Sequence, residues 1–288
     1  MNFFDFLQSP DHTLLIHHQS TINVKVLHPC FNEEALGFGR IHLPVAPKCN
    51  IRCNYCNNHR SCNKPNLGAC ERVIKPSEAI EITSKLIAKY NNIKVVGVAG
   101  PGDPLFNNET FMTLKSIKEK GILKCLCTNG LLLPHKINLL NKIGVKHITI
   151  TINAVDPKIG SKIYSFVKCN GKKLEGSKAA KVLIQNQLEG LRLASKRMIV
   201  KVNSVLIPGV NDEHLVDVAR EIEDYAYIQN IIPLIPNYKF SNIAQPNHRL
   251  VEKIRNECER FVKQMIHCAQ CRADAAGRLH ENTTIFTA

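Results

Sequence analysis

The chain has 288 residues, of which 44% are hydrophobic, so it is long enough to bury the core of one large α/β domain. Its formal net charge of +14 indicates either a lysine-rich solvated surface or a surface that attracts an anionic cofactor or an acidic protein partner. No signal peptide or apolar run of ~18 residues is recognisable, so the sequence predicts a cytoplasmic protein that does not enter a membrane. No motif indicates nucleic-acid binding.

Short apolar runs alternate with helix-forming segments along most of the chain. After an irregular segment at 1–40, strands are predicted at 41–46, 93–99, 122–127, 147–153, 199–207 and 228–235. Helices are predicted at 76–91, 109–120, 134–143, 176–196, 212–225 and 248–265. Strands that alternate with helices form parallel sheets through right-handed crossovers, so the pattern predicts an α/β fold, a (βα) TIM-like barrel that is complete or partly open.

Three units follow from this pattern. Residues 1–40 form an N-terminal segment, 41–247 the barrel, and 248–288 a C-terminal helix and a segment with a CxxC pair. We expect the two terminal segments to close the mouth of the barrel, where loops that follow the strands carry the chemistry of such folds.

The first predicted strand leads directly into a loop that carries Cys49, Cys53 and Cys56. Three thiolates can hold three corners of a four-iron cubane and leave one iron open to a small molecule. This spacing, with Tyr55 before the third cysteine, resembles the radical S-adenosylmethionine (AdoMet) enzymes. In those enzymes the open iron binds the amino and carboxylate groups of AdoMet, and the aromatic side chain packs near the adenine. The alternative is a zinc site, although zinc usually takes four ligands in closed sets.

Residues that follow later strands are candidates for binding AdoMet. Gly100, Gly102 and Asp103 lie in a glycine-rich segment after the second strand, where backbone can approach a ligand closely. In radical AdoMet enzymes this segment contacts the amino group of the methionine portion. Asn153 is a candidate for the ribose hydroxyls or, alternatively, a turn residue. Ser204 can approach the ribose or the sulfonium, or it is a satisfied polar group on its strand.

Of the twelve cysteines, nine lie outside the three-cysteine loop. Five of them stand where a barrel mouth can gather them, and these are Cys30, Cys62, Cys125, Cys268 and Cys271. They supply enough thiolate for auxiliary iron–sulfur clusters, and His28 can add a nitrogen ligand two residues before Cys30. Cys127, Cys169 and Cys258 are interpreted as small buried hydrophobic residues.

Seven segments together resemble the NifB family of nitrogenase-cofactor maturases. They are HPCFNEEA, GRIHLPVAPKCNIRCNYCN, VVGVAGPGDPL, LCTNGLLLP, HITITINAVDPKIG, KVNSVLIPGVND and CxxCRADAAG, between about residues 28 and 278. The resemblance implies a barrel enzyme that fuses two four-iron clusters, with one added sulfur, into an eight-iron precursor with a central carbide. In that family one AdoMet gives its methyl group to a cluster sulfide. A second AdoMet is cleaved to a 5′-deoxyadenosyl radical, which takes hydrogen from the methyl carbon.

The resemblance also implies ligands and partners. Cys49, Cys53 and Cys56 would hold the AdoMet-cleaving cluster. The ligands of the two substrate clusters would be His28, Cys30, Cys62, Cys125, Cys268 and Cys271, and their division between the two clusters is open. The expected cofactors are three [4Fe-4S] clusters and AdoMet. The expected partners are an iron–sulfur cluster donor, an electron donor such as a ferredoxin or flavodoxin, and a separate cofactor carrier, and the chain is expected to be a monomer.

Two departures from the family's pattern affect these expectations. After the cysteine at position 62 the family commonly has Asn-Glu-x-Arg-Pro-Gly, whereas this chain has Asn-Lys-Pro-Asn-Leu-Gly, so Glu71 is the candidate to replace the missing carboxylate. The chain also ends at Ala288 without the carrier domain that many members have, so it is expected to be a short form. Two alternatives remain: another radical AdoMet enzyme with auxiliary clusters, and a cluster scaffold without turnover.

Overall fold

The structure is a computed structural model that describes residues 26–56, 68–281 and 283–288. The strands are β1 (Gly39–His42), β2 (Ile51–Cys53), β3 (Ile93–Val98), β4 (Leu123–Thr128), β5 (Val145–Thr151), β6 (Tyr164–Cys169), β7 (Lys172–Leu174), β8 (Ile199–Leu206), β9 (Ile228–Pro233), β10 (Ala275–Gly277) and β11 (Thr283–Thr284). The helices are α1 (Pro76–Lys89), α2 (Asn108–Ser116), α3 (Leu133–Lys142), α4 (Pro157–Ile163), α5 (Gly176–Ser195), α6 (Leu215–Ile222) and α7 (His248–Cys258). Within these ranges, no helix has both the length and the apolar character that a membrane crossing requires.

Eight strands form one sheet in the order β11-β10-β1-β3-β4-β5-β8-β9. The six strands from β1 to β9 in this order are parallel to one another, while β10 and β11 are antiparallel additions at one edge. These six are the predicted strands, which confirms the α/β fold. No pairing between β9 and β11 closes the sheet among the residues that the structure describes.

The two faces of the sheet have different roles, as β8 shows. Val200 and Val202 are fully buried in the hydrophobic core against helix α5. Lys201 and Asn203, which point the other way, line a cavity. This follows from the alternation of side chains along a strand, because each second residue faces the same side. One face therefore stabilises the fold and the other carries the candidate site.

A second sheet, which was not predicted from the sequence, supports the three-cysteine loop. Its antiparallel strands have the order β2-β6-β7, and Ile51 of β2 pairs with Val167 of β6. Both side chains are buried in a smaller hydrophobic core with Leu131 and Tyr164. β2 has three residues and β7 has three, so neither is long enough for its hydrophobic pattern to indicate a strand. Helix α4, which precedes β6, was missed as well.

Three predicted helices differ from the observed ones by three residues or more, and one of them, α2, ends at Ser116 rather than at residue 120. Helix α7 ends at Cys258 rather than at residue 265, and the N–H groups of Phe261 and Val262 both donate to the Cys258 carbonyl in the turn that follows. The chain then runs beside β9, where the Met265 N–H donates to the carbonyl oxygen of Gln229 at 2.7 Å. Helix α6 begins at Leu215 rather than at residue 212. The end of α7 depends on β9, a partner distant in the sequence, and local periodicity contains no information about that contact.

The C-terminal segment packs against the sheet and the N-terminal segment. In β10, Ala276 pairs with Ile41 of β1. The Ala273 N–H donates to the carbonyl oxygen of Ala69 at 2.7 Å, and Nε2 of His267 lies 3.0 Å from the carbonyl oxygen of Pro29. These contacts place the second CxxC pair beside Cys30, although the unit boundaries drawn from the sequence stay a prediction.

Candidate functional site

A cavity of about 280 Å³ lies at the carboxyl ends of the parallel strands. Residues near the ends of all six parallel strands contribute to it, for example Val98 of β3, Thr128 of β4 and Val205 of β8. Eight of the eleven described cysteines line this cavity, and these are Cys30, Cys49, Cys53, Cys56, Cys125, Cys127, Cys268 and Cys271. This end of a parallel sheet is where such folds place ligands, and the concentration of thiols indicates a metal-binding site.

The three-cysteine loop is fixed by backbone contacts to the glycine-rich segment after β3. The Gly102 N–H donates to the Ala46 carbonyl at 2.6 Å, and the Asp103 N–H donates to the Lys48 carbonyl at 2.9 Å. The Asn107 side chain accepts from the Lys48 N–H at 3.1 Å and donates to its carbonyl at 2.8 Å. The loop therefore keeps its path through main-chain bonds that do not involve the thiols.

Gly102 is needed at its position because a Cβ there would collide with the carbonyl oxygens of Lys48 and Ala46. We expect Gly102→Ala to lower the free energy of unfolding by ~1–3 kcal/mol, the usual cost of overpacking, and to reduce the iron bound by the loop. Thermal unfolding and iron analysis measure both effects. Gly37→Ala is the matched control, because a Cβ on Gly37 would meet nothing within 4 Å. Equal losses in the two variants would contradict this role of Gly102.

Asp103, a predicted AdoMet contact, lines the cavity but has several protein partners. Its carboxylate accepts from the Thr128 hydroxyl at 2.8 Å, the Asn129 N–H at 2.6 Å and the Leu105 N–H at 2.9 Å. The side chain is 3% exposed, and burial raises the pKa of its carboxyl group. These bonds join the segment after β3 to the end of β4, so Asp103 stabilises the cavity wall.

Burial also sets the ionisation of the loop's side chains. Burial and, to a lesser extent, the charge of Asp103 raise the pKa of the Cys49 thiol to about 12. Burial raises the pKa values of Cys53 and Tyr55 as well. The thiols of Cys49 and Cys53 are therefore protonated at neutral pH when no metal is bound. Because thiolate is the form that binds metal, cluster binding must release these protons.

Tyr55 is positioned by Asn153, the candidate for the ribose hydroxyls. Nδ2 of Asn153 donates to the Tyr55 hydroxyl at 2.9 Å, and Oδ1 accepts from the Val205 N–H at 2.8 Å. Asn153 is fully buried. Its side chain therefore connects the three-cysteine loop to β8. This role was not predicted from the sequence, and a contact between Asn153 and AdoMet stays a prediction.

Two other candidates lie away from the cavity. Ser204 is fully buried, its hydroxyl donates to the Ile152 carbonyl at 2.7 Å, and it accepts from Nε2 of Gln229 at 3.2 Å. It does not line the cavity, because its neighbours at 203 and 205 occupy the cavity face of β8. Glu71 is exposed, and its N–H donates to Asp274 at 2.6 Å. The predicted roles of Ser204 and Glu71 gain no support from these positions.

The second set of thiols lines the same cavity and consists of Cys30, Cys125, Cys268 and Cys271. The sulfur of Cys268 accepts from Nδ2 of Asn230 at 3.2 Å, and that of Cys271 accepts from the Arg40 guanidinium at 3.3 Å. The sulfur of Cys125 faces Gly97, where a Cβ would collide with it. The structure thus brings together four of the five predicted cysteines, and Cys62 lies outside the described residues.

Two histidines, His28 and His42, line the cavity. Their hydrogen bonds indicate which of the two has a ring nitrogen free to bind a metal. Nδ1 of His28 accepts the Cys30 N–H at 3.1 Å, so the proton of the neutral ring is on Nε2. Nδ1 of His42 lies 3.0 Å from the Arg272 carbonyl, so it carries the proton and leaves Nε2 with a lone pair. Burial lowers the pKa of both rings, that of His42 to about 4. This pattern, a backbone carbonyl bound to one ring nitrogen, orients metal-binding histidines.

Sequence reasoning also missed buried cations beside the second thiol set. Lys201 is 6% exposed and Arg40 is 2% exposed. Three carbonyl groups, those of residues 276–278, accept from the Arg40 guanidinium. The alternation within β8 contained a signal, because Lys201 and Asn203 share one face of the strand, whereas Val200 and Val202 on the other face are apolar. Cys127, interpreted as a small hydrophobic residue, also lines the cavity.

The thiols fit iron–sulfur clusters better than a zinc site. Among the residues that the structure describes, no three His, Cys, Asp or Glu side chains are arranged to hold a single metal ion. A zinc site requires four ligands around one point. In a cubane each thiolate binds a different iron, so thiols spread along a cavity wall are the appropriate arrangement.

Comparisons with known proteins agree with this geometry. Residues 43–222, more than half of the chain, match the Radical SAM superfamily. Relatives named FeMo cofactor biosynthesis protein NifB from Methanocaldococcus jannaschii and Methanocaldococcus infernus are 47% and 46% identical over 270 and 260 residues. The alignments cover 90% and 88% of this chain and 88% and 86% of those relatives.

The fold also has a counterpart of distant sequence. The structure of Streptococcus suis SuiB bound to S-adenosylmethionine matches with a TM-score of 0.57 and 14% identity, over 80% of this chain and 50% of that one. At this identity the likeness concerns the fold alone. The three-cysteine loop, the parallel strands and the two relatives show that the chain is a radical SAM enzyme and belongs to the NifB family.

Proposed function

We propose that this chain builds the eight-iron precursor of the nitrogenase cofactor, by fusing two four-iron clusters with an added sulfur and a carbide from an AdoMet methyl group. The observation that carries the proposal is that two separate sets of thiols face one cavity. One set has the spacing that binds an AdoMet-cleaving cluster, and the other can hold cluster substrates. The relatives named FeMo cofactor biosynthesis proteins support the same assignment.

In this proposal Cys49, Cys53 and Cys56 hold the resident cluster, and the main-chain bonds to the glycine-rich segment keep their loop in place. When bound, that cluster and AdoMet supply reductive cleavage to a 5′-deoxyadenosyl radical. Tyr55 presents its ring from the loop, with its hydroxyl fixed by Asn153. Gly100 lines the cavity with φ of 131°, a conformation that favours glycine, so backbone rather than a side chain faces AdoMet there.

The substrate clusters lie against the second thiol set. Cys30, Cys125, Cys268 and Cys271 supply thiolates, and we expect Cys62 to add another. We assign the nitrogen ligand to His42 in place of His28, because its bond to the Arg272 carbonyl leaves Nε2 free to bind iron. His28 remains beside this set, with its Nε2 buried and without a partner among the described residues.

The proposed function implies partners and a compartment. The chain needs a donor of iron–sulfur clusters, an electron donor such as a ferredoxin or flavodoxin, and a separate carrier that receives the product, and we propose that it acts as a monomer. All eleven described cysteines are free thiols, which suits the reducing cytoplasm. The net charge of +14 favours acidic partners.

The products formed from AdoMet test this function. Anaerobically reduced protein loaded with clusters should form both S-adenosylhomocysteine and 5′-deoxyadenosine, because one AdoMet donates a methyl group and another is cleaved. Liquid chromatography with mass spectrometry measures both. 5′-Deoxyadenosine alone would favour a different radical AdoMet enzyme with auxiliary clusters. Neither product would favour a scaffold without turnover.

Iron content tests the number of clusters. Reconstituted protein should bind about twelve irons, four at the three-cysteine loop and the rest at the second thiol set. We expect His42→Ala to change the electron paramagnetic resonance spectrum of one cluster, whereas His28→Ala, the matched control, should leave the spectra similar. An iron count near four would contradict cluster binding by the second thiol set. A changed spectrum in His28→Ala, with an unchanged one in His42→Ala, would return the assignment of the nitrogen ligand to His28.

A further inference from the structure

Lys201 occupies an unusual place in the cavity. It lies on the cavity face of β8 near the start of that strand, so it is deeper than Asn203 and Val205, which follow it on the same face. Its Nζ donates to the Cys30 carbonyl at 3.2 Å, lies 3.9 Å from the Met265 sulfur, and stands 5.1 Å from the Phe31 ring centroid. The ammonium group is therefore fixed at the floor of the cavity.

The charge of Lys201 has no anionic partner in the protein. No carboxylate lies within ion-pair distance of it in the described part of the chain. A buried cation without a counter-charge is unfavourable, because a carbonyl and an aromatic ring replace only part of its hydration. Such a group is retained where a ligand supplies the missing negative charge.

The neighbours of Lys201 identify that ligand. The thiols of Cys30, Cys125 and Cys127 line the same cavity as Lys201, and its Nζ is bonded to the Cys30 carbonyl. Asp103, the acidic residue that lines this cavity, lies instead in the segment whose main chain is bonded to the three-cysteine loop. The ligand that Lys201 faces is therefore an anion that binds thiolates, and an iron–sulfur cluster fits this description.

We propose that Lys201 is the counter-charge of the anionic substrate clusters, and that it holds them at the second thiol set by attraction and by N–H donation to their sulfur. This inference rests on the proposed function and makes Lys201 a positioning residue. A fixed positive charge beside an iron–sulfur cluster also favours the reduced state, since reduction adds negative charge. Removing the charge should therefore weaken cluster binding and lower the reduction potential of the clusters that remain.

The test compares Lys201→Met, which keeps an unbranched side chain, with Lys201→Arg, which keeps the charge. Lys124→Met is the matched control, because Lys124 is a partly buried strand lysine that donates to the Ile143 carbonyl and does not line the cavity. Each variant is reconstituted and desalted. Iron per chain, midpoint potentials by electron paramagnetic resonance, and the unfolding temperature of the metal-free chain are then measured.

We expect Lys201→Met to reduce at least twofold the iron bound beyond the loop cluster and to make the remaining potentials more negative, with Lys201→Arg restoring both. Metal-free Lys201→Met should unfold at no lower temperature than the wild type, because an unpaired buried charge is gone. Unchanged iron and potentials in Lys201→Met would overturn the inference. The inference would also be overturned if metal-free Lys201→Met unfolded at a lower temperature and Lys201→Arg restored neither the iron content nor the potentials. A wild type with only about four irons would instead refute the proposed function itself.

Discussion

Replacing Cys49, Cys53 or Cys56 with alanine is expected to abolish reductive cleavage of AdoMet and to leave the fold intact. Three protein ligands are the minimum for a cluster whose fourth iron binds AdoMet, so no second thiol of the loop can compensate for a lost one. The fold should survive because main-chain bonds, such as that from Gly102 to Ala46, hold the loop in place without the thiols.

The measurement is 5′-deoxyadenosine formed by reduced, cluster-loaded protein, with circular dichroism to confirm the fold. Cys169→Ala is the matched control, because Cys169 is a half-buried cysteine on β6 that does not line the cavity. Undiminished 5′-deoxyadenosine from any of the three loop variants would refute the assignment of the loop.

The parallel sheet was predictable because its strands are buried on both faces. Continuous apolar runs such as that of β3 indicate such strands without knowledge of their neighbours, and the helices between them have a clear apolar stripe. The second sheet was not predictable, because β2 depends on its pairing with β6 more than a hundred residues later. Helix α7 ends early for a similar reason, since the chain after Cys258 pairs with β9.

The thiols of the site were predictable from their spacing, whereas their surroundings were not. Cysteine is rare enough that Cys30, Cys268 and Cys271 stand out in the sequence, and the structure brings them to one cavity. A single lysine such as Lys201 does not stand out in a basic chain. Its burial is evident only when the strands are placed side by side.

The positions of the polar candidates in the sequence did not show which of them can contact a ligand. Asp103 and Asn153 do lie at the ends of strands, but hydrogen bonds within the protein occupy much of their capacity. Ser204 faces the side of its strand that is opposite to the cavity. A difference of one position along a strand decides which side a residue faces. Residues near a ligand thus divide into those that can contact it and those that hold the contacts in place. Only the partners of each side chain distinguish the two.

The double substitution Cys268→Ala and Cys271→Ala is expected to separate AdoMet cleavage from cofactor assembly. Both thiols belong to the second set, so their loss should leave the three-cysteine loop able to bind its cluster and to cleave AdoMet slowly. The segment should keep its place, because Arg40 donates to three of its carbonyls and β10 pairs with β1. The partly buried pair of Arg272 and Asp274 supports the same segment.

The variant should fail to make any eight-iron product that activates cofactor-free nitrogenase, because a substrate cluster would lose two of its thiolates. Cys268 and Cys271 lie in a stretch without regular secondary structure, so a cluster bound there can move toward its neighbour during fusion. Activation of cofactor-free nitrogenase is the measurement, with Cys169→Ala as the control that should retain it. If the double variant still supported activation, Cys268 and Cys271 would not be ligands that fusion requires, and the division of the cavity into two thiol sets would be wrong.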